Sequence, residues 1–190
     1  MVQDNPGASS RLCNRAVVKT LLLGGVRSGK SQLAEAMAAA SGFEVCYIAT
    51  AQAGDAEMRA RIDAHQARRP PGWKNIEEPL CLAREMRQQA GAGTCLLVDC
   101  LSLWVTNLLL DADPQRIDSE IEALLAFLPE CPGKLIFVST ESNLGVVPMG
   151  ELSRRYCDRL GLLHQDVARL SDCVILTVAG LPHYLKGTKD

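Results

Sequence analysis

The chain has 190 residues, a formal net charge of −2 and an ordinary charged fraction of 22%. This length suits one domain with a substantial core, and the balanced charge argues against a general nucleic-acid binder, which would need a strongly basic face. No apolar run approaches the ~20 residues of a membrane span, and the N-terminus lacks the basic-then-apolar order of a secretion signal. We therefore expect a cytoplasmic protein with small-molecule ligands and with neither nucleic-acid nor membrane partners.

The N-terminal segment over residues 1–14 is polar and includes Pro6, Gly7, Ser9 and Ser10. It has no apolar periodicity, so it cannot bury enough apolar surface to offset the entropy cost of becoming ordered. The sequence predicts a disordered extension over residues 1–14, followed by a single domain over residues 15–190.

A phosphate-binding pattern follows the first predicted strand, at residues 17–23, and precedes a helix predicted over residues 32–40. Every fixed position of G-x-x-x-x-G-K-[ST] is filled in the run Gly24, Gly25, Val26, Arg27, Ser28, Gly29, Lys30 and Ser31. Strand, glycine-rich turn and helix in this order let backbone N–H groups surround a phosphate at the positive end of a helix. We expect a nucleoside triphosphate, with Lys30 reaching the β- and γ-phosphates and Ser31 ligating Mg²⁺. The pattern alone does not distinguish ATP from GTP, or hydrolysis from transfer.

A cationic face is predicted on the next helix, over residues 56–68. Positions i, i+4, i+7 and i+8 of this face are Arg61, His65, Arg68 and Arg69. Guanidinium groups suit phosphate oxygens, and neighbouring cations would keep an imidazole neutral and able to attack phosphorus. Met58, Ile62 and His65 also share one helical stripe, so on spacing alone His65 could instead pack beneath the arginines.

A carboxylate ends the strand predicted over residues 94–98. Asp99 at this position is able to hold the Mg²⁺ that Ser31 contacts, as the second acidic element of phosphate-loop enzymes does. It could also cap the following helix, since Asp is common at strand-to-helix turns. Glu141, just after the next predicted strand, is a second acidic candidate.

Apolar runs alternate with helical stretches along the rest of the chain. The other buried strands are predicted over residues 45–49, 135–139 and 173–178, and the other helices over residues 80–89, 103–110, 118–127 and 149–170. Such alternation implies parallel pairing. We predict an α/β fold, a three-layer P-loop NTPase-like sandwich with a mainly parallel central sheet of five or more strands and ligands at the strands' carboxyl ends.

An ordered set of short motifs extends over about residues 20–186. It comprises GGVRSGKS at 24–31, YIATAQ at 47–52, EM at 57–58, His65 to Pro70, Trp73, EEP at 77–79, VDCLSLWVTNLL at 98–109, GVVP at 145–148, Asp158, Gly161, Gln165, VAGLP at 178–182 and Lys186. In this order the motifs closely resemble the bifunctional adenosylcobinamide kinase/adenosylcobinamide-phosphate guanylyltransferase family of cobalamin biosynthesis. One phosphate loop would be unspecific, whereas the whole set is highly specific.

The resemblance implies a two-step enzyme and a homotrimer with active sites between subunits. ATP or GTP would phosphorylate the aminopropanol hydroxyl of adenosylcobinamide, and GMP from GTP would then join that phosphate, giving adenosyl-GDP-cobinamide and pyrophosphate. In the family a histidine carries the GMP through a phosphoramidate bond, and His65 stands at the matching position. The resemblance also implies nucleotide contacts at Thr50, Ala51, Gln52, Gln66, Ala67, Arg68, Arg69, Glu77 and Asp99.

The chain departs from the family pattern at three places. Residues 140–143 read Thr-Glu-Ser-Asn instead of Asn-Glu-Val-Gly, Cys157 replaces an Arg, and His164 replaces an Asn. The phosphate loop and His65 are unaffected, so the changes bear on corrinoid contacts or subunit packing. His164 is also a rival imidazole, although it lies on another helix without the arginine cluster.

Two other functions stay open on the residues alone. The phosphate loop and Asp99 would suffice for a kinase of another small alcohol, in which His65 has an electrostatic role. A non-catalytic regulator would keep the loop and use GTP occupancy as a switch.

Overall fold

The computed structural model describes residues 18–52, 54, 56–67 and 69–188. In the second helix, the side chains of Glu57, Met58, Arg61, Ala64 and His65 also lie outside the description. The extension predicted over residues 1–14 lies outside the described residues, so it stays a prediction.

Strands and helices alternate through most of the described chain, except that two helices are consecutive before the fifth strand and the last two strands are also consecutive. The strands are β1 (Lys19–Gly24), β2 (Glu44–Ala49), β3 (Lys74–Glu77), β4 (Thr94–Asp99), β5 (Lys134–Thr140), β6 (Cys173–Val178) and β7 (Leu181–Lys186). The helices are α1 (Lys30–Ala39), α2 (Ala56–Ala67), α3 (Leu82–Gln89), α4 (Leu101–Leu109), α5 (Arg116–Phe127) and α6 (Glu151–Leu170). Of the helices described, none combines the length and the apolar character that a membrane crossing needs.

The seven described strands form one sheet in the order β3-β2-β4-β5-β1-β6-β7. All neighbouring pairs are parallel except β6 with β7, which is antiparallel. Central strands are apolar on both faces because helices cover both; in β4, for example, all four residues 95–98 are fully buried. The α/β prediction with a mainly parallel sheet is confirmed.

Two edge strands, β3 and β7, were not predicted from the sequence. Strand β3 is four residues long and largely exposed, so it has no apolar run to reveal it. Strand β7 alternates between exposed and half-buried residues and contains Pro182, which is compatible with an edge strand. It follows a tight turn in which Ala179 and Gly180 have φ angles of 51° and 80°. Neither strand contradicts the expectation of five or more.

Parallel pairing brings the carboxyl ends of four strands to one edge of the sheet. Gly24 at the end of β1 pairs with Thr140 at the end of β5, and Ala49 of β2 pairs with Asp99 of β4. The segments that follow these strands therefore surround a common space, as expected for a doubly wound sheet.

Candidate nucleotide site

The phosphate loop connects β1 to α1 and contains two glycines at which a side chain would be strained. A Cβ atom on Gly24 would lie 2.4 Å from the Ser28 hydroxyl oxygen and 2.6 Å from the Thr177 carbonyl oxygen. Gly29, which immediately precedes α1, has a φ of 91°, and a Cβ there would lie 3.2 Å from the Gly180 Cα. The loop conformation thus explains why these two positions are glycine.

The turn between β6 and β7 supports the phosphate loop from outside the motif. The Gly180 N–H donates to the Ser28 carbonyl at 2.9 Å, which fixes the middle of the loop. This role of Gly180 could not be predicted from a local pattern, because Gly180 and Ser28 are far apart in the sequence.

Two side chains of the loop have hydrogen-bond donors that could bind a phosphate. The Ser28 hydroxyl is buried and has no hydrogen-bond partner in the described part of the chain. The Lys30 ammonium donates to the Gly25 carbonyl at 3.0 Å, so it lies folded over the loop. Both groups, with the N-terminus of α1, give this region the chemistry of an anion site.

A cavity of about 650 Å³ opens beside the loop, within the ~300–1,000 Å³ range typical of ligand pockets. Its lining joins the loop to the ends of β2, β4 and β5 and to α2 and α4. The predicted site residues that line it are Val26, Arg27, Ser28, Gly29, Lys30, Ser31, Ala51, Arg69, Glu77 and Asp99. The structure therefore brings most of the predicted nucleotide contacts to one cavity.

The Asp99 carboxylate lies at one end of a small contact network. It accepts a hydrogen bond from the Tyr47 hydroxyl at 2.8 Å. The Arg69 guanidinium stacks over the Tyr47 ring, 3.6 Å from the ring centroid, and also donates to the Asn75 side-chain oxygen at 2.8 Å. Burial and the adjacent Asp99 carboxylate raise the pKa of Tyr47 far above its ordinary value, so the phenol stays a protonated donor.

The helix-capping alternative for Asp99 is not what the structure shows. Cys100 occupies the N-cap position of α4, and no side chain makes a capping hydrogen bond there. The carboxylate instead contacts Tyr47 and lines the cavity. Asp99 is thus available to a ligand.

The donor set of the cavity fits Mg²⁺. The Ser31 hydroxyl and the Asp99 carboxylate both line it, and such oxygen ligands are those that Mg²⁺ prefers. The described residues contain no cluster of three or more His, Cys, Asp or Glu that could hold a metal. Two protein ligands suffice for Mg²⁺, since this ion usually keeps waters and substrate phosphates in its coordination shell.

Helix α2 borders both this cavity and a second one of about 530 Å³. Ala51, Ile62 and Glu77 line both cavities, so the two are neighbours. His65 lies on α2, one turn after Ile62 and one turn before Arg69. Its backbone is therefore at the border of the site, whereas its side chain lies outside the description.

The remaining predicted residues on this side fall into separate places. Gln52 and Gln66 line the second cavity, and the Gln66 amide donates to Glu77 at 3.2 Å. Ala67 is exposed at the end of α2. Arg68 and the Arg61 side chain lie outside the described residues, so the cationic face is described at Arg69 alone.

Thr50 does not turn its side chain to the cavity. It is fully buried, and its hydroxyl donates to the Cys100 carbonyl at 2.7 Å while accepting from the Cys100 N–H at 2.9 Å. These bonds join the end of β2 to the end of β4. The described lining also omits Gly24 and Gly25, which shape the loop.

Several lining residues were not among the site residues that the sequence predicted. These are Gln32, Tyr47, Ala49, Ile62, Cys100, Ser102, Leu103, Thr140 and Tyr156. Three of them could have been found from their position in the sequence. Ala49, Cys100 and Thr140 lie at or just beyond the carboxyl ends of β2, β4 and β5, where ligands bind in such sheets.

The three departures from the family pattern meet in space between β5 and α6. The His164 ring is 6% exposed; its Nε2 lies 2.7 Å from the Ser139 hydroxyl and its Nδ1 lies 3.7 Å from a Glu141 carboxylate oxygen. The Asn143 amide donates to the Cys157 carbonyl at 3.0 Å. Burial lowers the pKa of His164, and the nearby Glu141 carboxylate opposes this in part. His164 is absent from the described cavity lining, so its position does not favour it as a nucleophile.

The fold and the site together define a nucleotide-binding protein of the phosphate-loop class. A solved ATPase domain superposes with a TM-score of 0.50 at 13% identity, covering 85% of this chain and 69% of that one. An ATPase from the type III secretion system of pathogenic bacteria gives a TM-score of 0.53 at 12% identity, covering 88% and 56%. At these identities the likeness concerns the fold, and it confirms the P-loop NTPase-like prediction.

The family is narrower than that class. The family model described as "Cobinamide kinase / cobinamide phosphate guanyltransferase" matches residues 20–185, and the chain belongs to this family. The bifunctional adenosylcobalamin biosynthesis protein CobP of Pseudomonas aeruginosa is 62% identical over 170 residues, covering 90% of this chain and 98% of the relative. The corresponding CobU protein of Escherichia coli (strain K12) is 37% identical over 174 residues, covering 85% and 96%. The resemblance inferred from the motifs is confirmed.

Proposed function

We propose that this enzyme phosphorylates adenosylcobinamide with ATP or GTP and then transfers GMP from GTP to the new phosphate. The observation that carries the proposal is one cavity lined by residues 26–31 of the phosphate loop, by Asp99 and Arg69, and by α2, the helix on which His65 lies. Both reactions consume nucleoside triphosphates, and we place them in the cytoplasm.

In the kinase step, the cobinamide hydroxyl oxygen attacks the γ-phosphorus. The new P–O bond forms as the bond to the β–γ bridging oxygen breaks, the nucleoside diphosphate leaves, and the hydroxyl proton is released. Lys30 stabilises charge on the transferring phosphoryl group, and the N–H groups of the loop orient it. Ser31 and Asp99 would hold Mg²⁺, which neutralises phosphate charge when bound.

In the guanylyl step, a neutral imidazole nitrogen of His65 attacks the α-phosphorus of GTP. The P–N bond forms as pyrophosphate departs, and a phosphate oxygen of the cobinamide then attacks the same phosphorus and breaks the P–N bond. The covalent route separates two anionic reactants that repel each other, because pyrophosphate leaves before the second anion arrives. It predicts ping-pong kinetics.

The test is covalent labelling. The chain is incubated with GTP labelled in the α-phosphate, denatured, and examined for acid-labile, alkali-stable label. We expect label on the unaltered chain, none on His65→Ala, and undiminished label on His183→Ala, an exposed histidine of β7 that serves as the matched control. Label that persists in His65→Ala would contradict the covalent role.

The same experiment separates the alternative functions. A kinase of another alcohol would show no label and no cobinamide-dependent nucleotide consumption, yet would use the nucleotide with its own substrate. A regulator would bind GTP and show no substrate-dependent consumption at all.

We also propose that the chain assembles into a homotrimer, the state that the resemblance implies. A run of exposed apolar side chains after β5 supports a contact with a second copy: Leu144, Val146, Val147 and Met149 are 79–97% exposed. Apolar residues grouped in this way commonly belong to an interface.

A further inference from the structure

We propose that Tyr47 is a positioning residue with two separable roles: its hydroxyl orients the Asp99 carboxylate, and its ring holds the Arg69 guanidinium at the cavity. This inference rests on the proposed roles of Asp99 and Arg69 in nucleotide binding. It was hidden in the sequence, where Tyr47 stands inside an apolar strand and reads as a core residue.

The hydroxyl fixes one side of the carboxylate. Tyr47 is 1% exposed, so its ring cannot swing into solvent, and its hydroxyl donates to the Asp99 Oδ2 at 2.8 Å. Asp99 is the last residue of β4, at the carboxyl end of the strand beside the cavity. One oxygen is thereby held by the protein, so that the carboxylate presents its other oxygen to a bound cation.

The ring supports the other half of the site. Arg69 lies beyond the end of α2, outside regular structure, and its guanidinium stacks 3.6 Å from the Tyr47 ring centroid. A bond of 2.8 Å from Arg69 to Asn75 completes its anchorage. The buried Nε of Arg69 has no hydrogen-bond partner among the described residues, so a donor is left for a ligand. Stacking of this kind stabilises a cation and presets its orientation.

The two roles are separated by two substitutions. Tyr47→Phe removes the hydroxyl and keeps the ring, whereas Tyr47→Leu removes both. The matched control is Tyr184→Phe, because Tyr184 is a half-buried tyrosine packed on the same apolar cluster, outside the described cavity lining. Melting temperatures of all variants report on the fold.

The first measurement is Mn²⁺ binding, by electron paramagnetic resonance, in the presence of a non-hydrolysable GTP analogue. We expect Tyr47→Phe and Tyr47→Leu to weaken it about tenfold, the size expected for a hydrogen bond to a charged group. Tyr184→Phe should bind Mn²⁺ as the unaltered chain does. Unchanged Mn²⁺ affinity in Tyr47→Phe would overturn the role of the hydroxyl.

The second measurement is the KM for GTP in α-phosphate labelling, at saturating Mg²⁺. Tyr47→Phe should keep the KM of the unaltered chain, and Tyr47→Leu should raise it by about three- to tenfold, as expected for a lost cation–π contact. Arg69→Gln should raise the KM in the Tyr47→Phe background and add little in the Tyr47→Leu background. Equal KM values for the two Tyr47 variants, or losses that follow only their melting temperatures, would overturn the role of the ring.

A failure of the proposed function gives a different result. If the unaltered chain takes up no label, the role of His65 is wrong. The affinity for the GTP analogue then replaces the KM, and both measurements still decide the role of Tyr47.

Discussion

Lys30 illustrates what a single side chain contributes to this site. Its ammonium lies over the loop on the Gly25 carbonyl, ready to exchange that weak partner for phosphate oxygens. We predict that Lys30→Met lowers kcat of cobinamide phosphorylation by about 10²–10³, as for removal of one preorganised group that stabilises transition-state charge. Lys74→Met, an exposed lysine of β3, is the control. Steady-state assays on variants with unchanged melting curves test this prediction. A decrease in kcat of less than tenfold would contradict the role of Lys30.

For single residues, the sequence predicts which residues belong to the site better than it predicts which side chains they contact. The phosphate-loop residues and Asp99 follow from a motif and a strand end, and the structure places both at one cavity. The Tyr47 contacts could not be predicted, because they depend on which strands are neighbours and on a cation beyond α2. The role that we propose for His65 comes from the resemblance, since spacing alone left packing beneath the arginines as an open alternative.

At the scale of the element, the loop between β1 and α1 depends on glycine at two defined places. We predict that Gly24→Ala strains the loop by about 1–3 kcal/mol, which lowers nucleotide affinity roughly 5- to 150-fold, because the new methyl group would meet the Thr177 carbonyl. Gly25→Ala, in the same loop, adds a methyl group that meets no atom within 4 Å and should lose much less. Calorimetric titration with a GTP analogue tests this, and equal losses in the two variants would contradict it.

The contact between β5 and α6 should make stability depend on pH. Burial lowers the pKa of His164 below its ordinary value of ~6.5, so the unfolded chain takes up a proton that the folded chain resists. The stabilisation that the neutral His164 contributes is therefore fully present above pH ~6.5, and it is lost as the pH falls below that value. We predict that the melting temperature falls more steeply from pH 7 to pH 5 in the unaltered chain than in His164→Asn. His183→Asn, which alters an exposed histidine, should follow the unaltered chain, and three parallel profiles would contradict the prediction.

Elements whose apolar pattern is strong were predictable, and those without one were not. The five buried strands carry continuous apolar runs, whereas β3 and β7 are short or amphipathic edges that form because the sheet offers them a partner. Their pairing is a tertiary effect, which no local pattern contains.

At the scale of the whole molecule, the exposed apolar run after β5 should determine the oligomeric state. We predict that Val146→Asp, at a position 97% exposed in the single chain, shifts the proposed trimer towards monomer by at least about tenfold in dissociation constant, because a charge would be buried in the contact. Leu162→Asp, at an exposed site on α6, is the control. Light scattering after size exclusion, over a range of concentrations, gives the mass. A monomeric unaltered chain would contradict the proposal.

Because the β6–β7 turn supports the phosphate loop, the loop can take its final shape only after this turn has been synthesised. The motif emerges early from the ribosome, yet β1 pairs with β5 and β6, and the loop is fixed by the N–H of Gly180. A nascent chain that has exposed the complete motif therefore still lacks the frame that shapes it. We expect a chain truncated before Gly180 to bind phosphate more weakly, because its intact motif would lack the hydrogen bond to the Ser28 carbonyl.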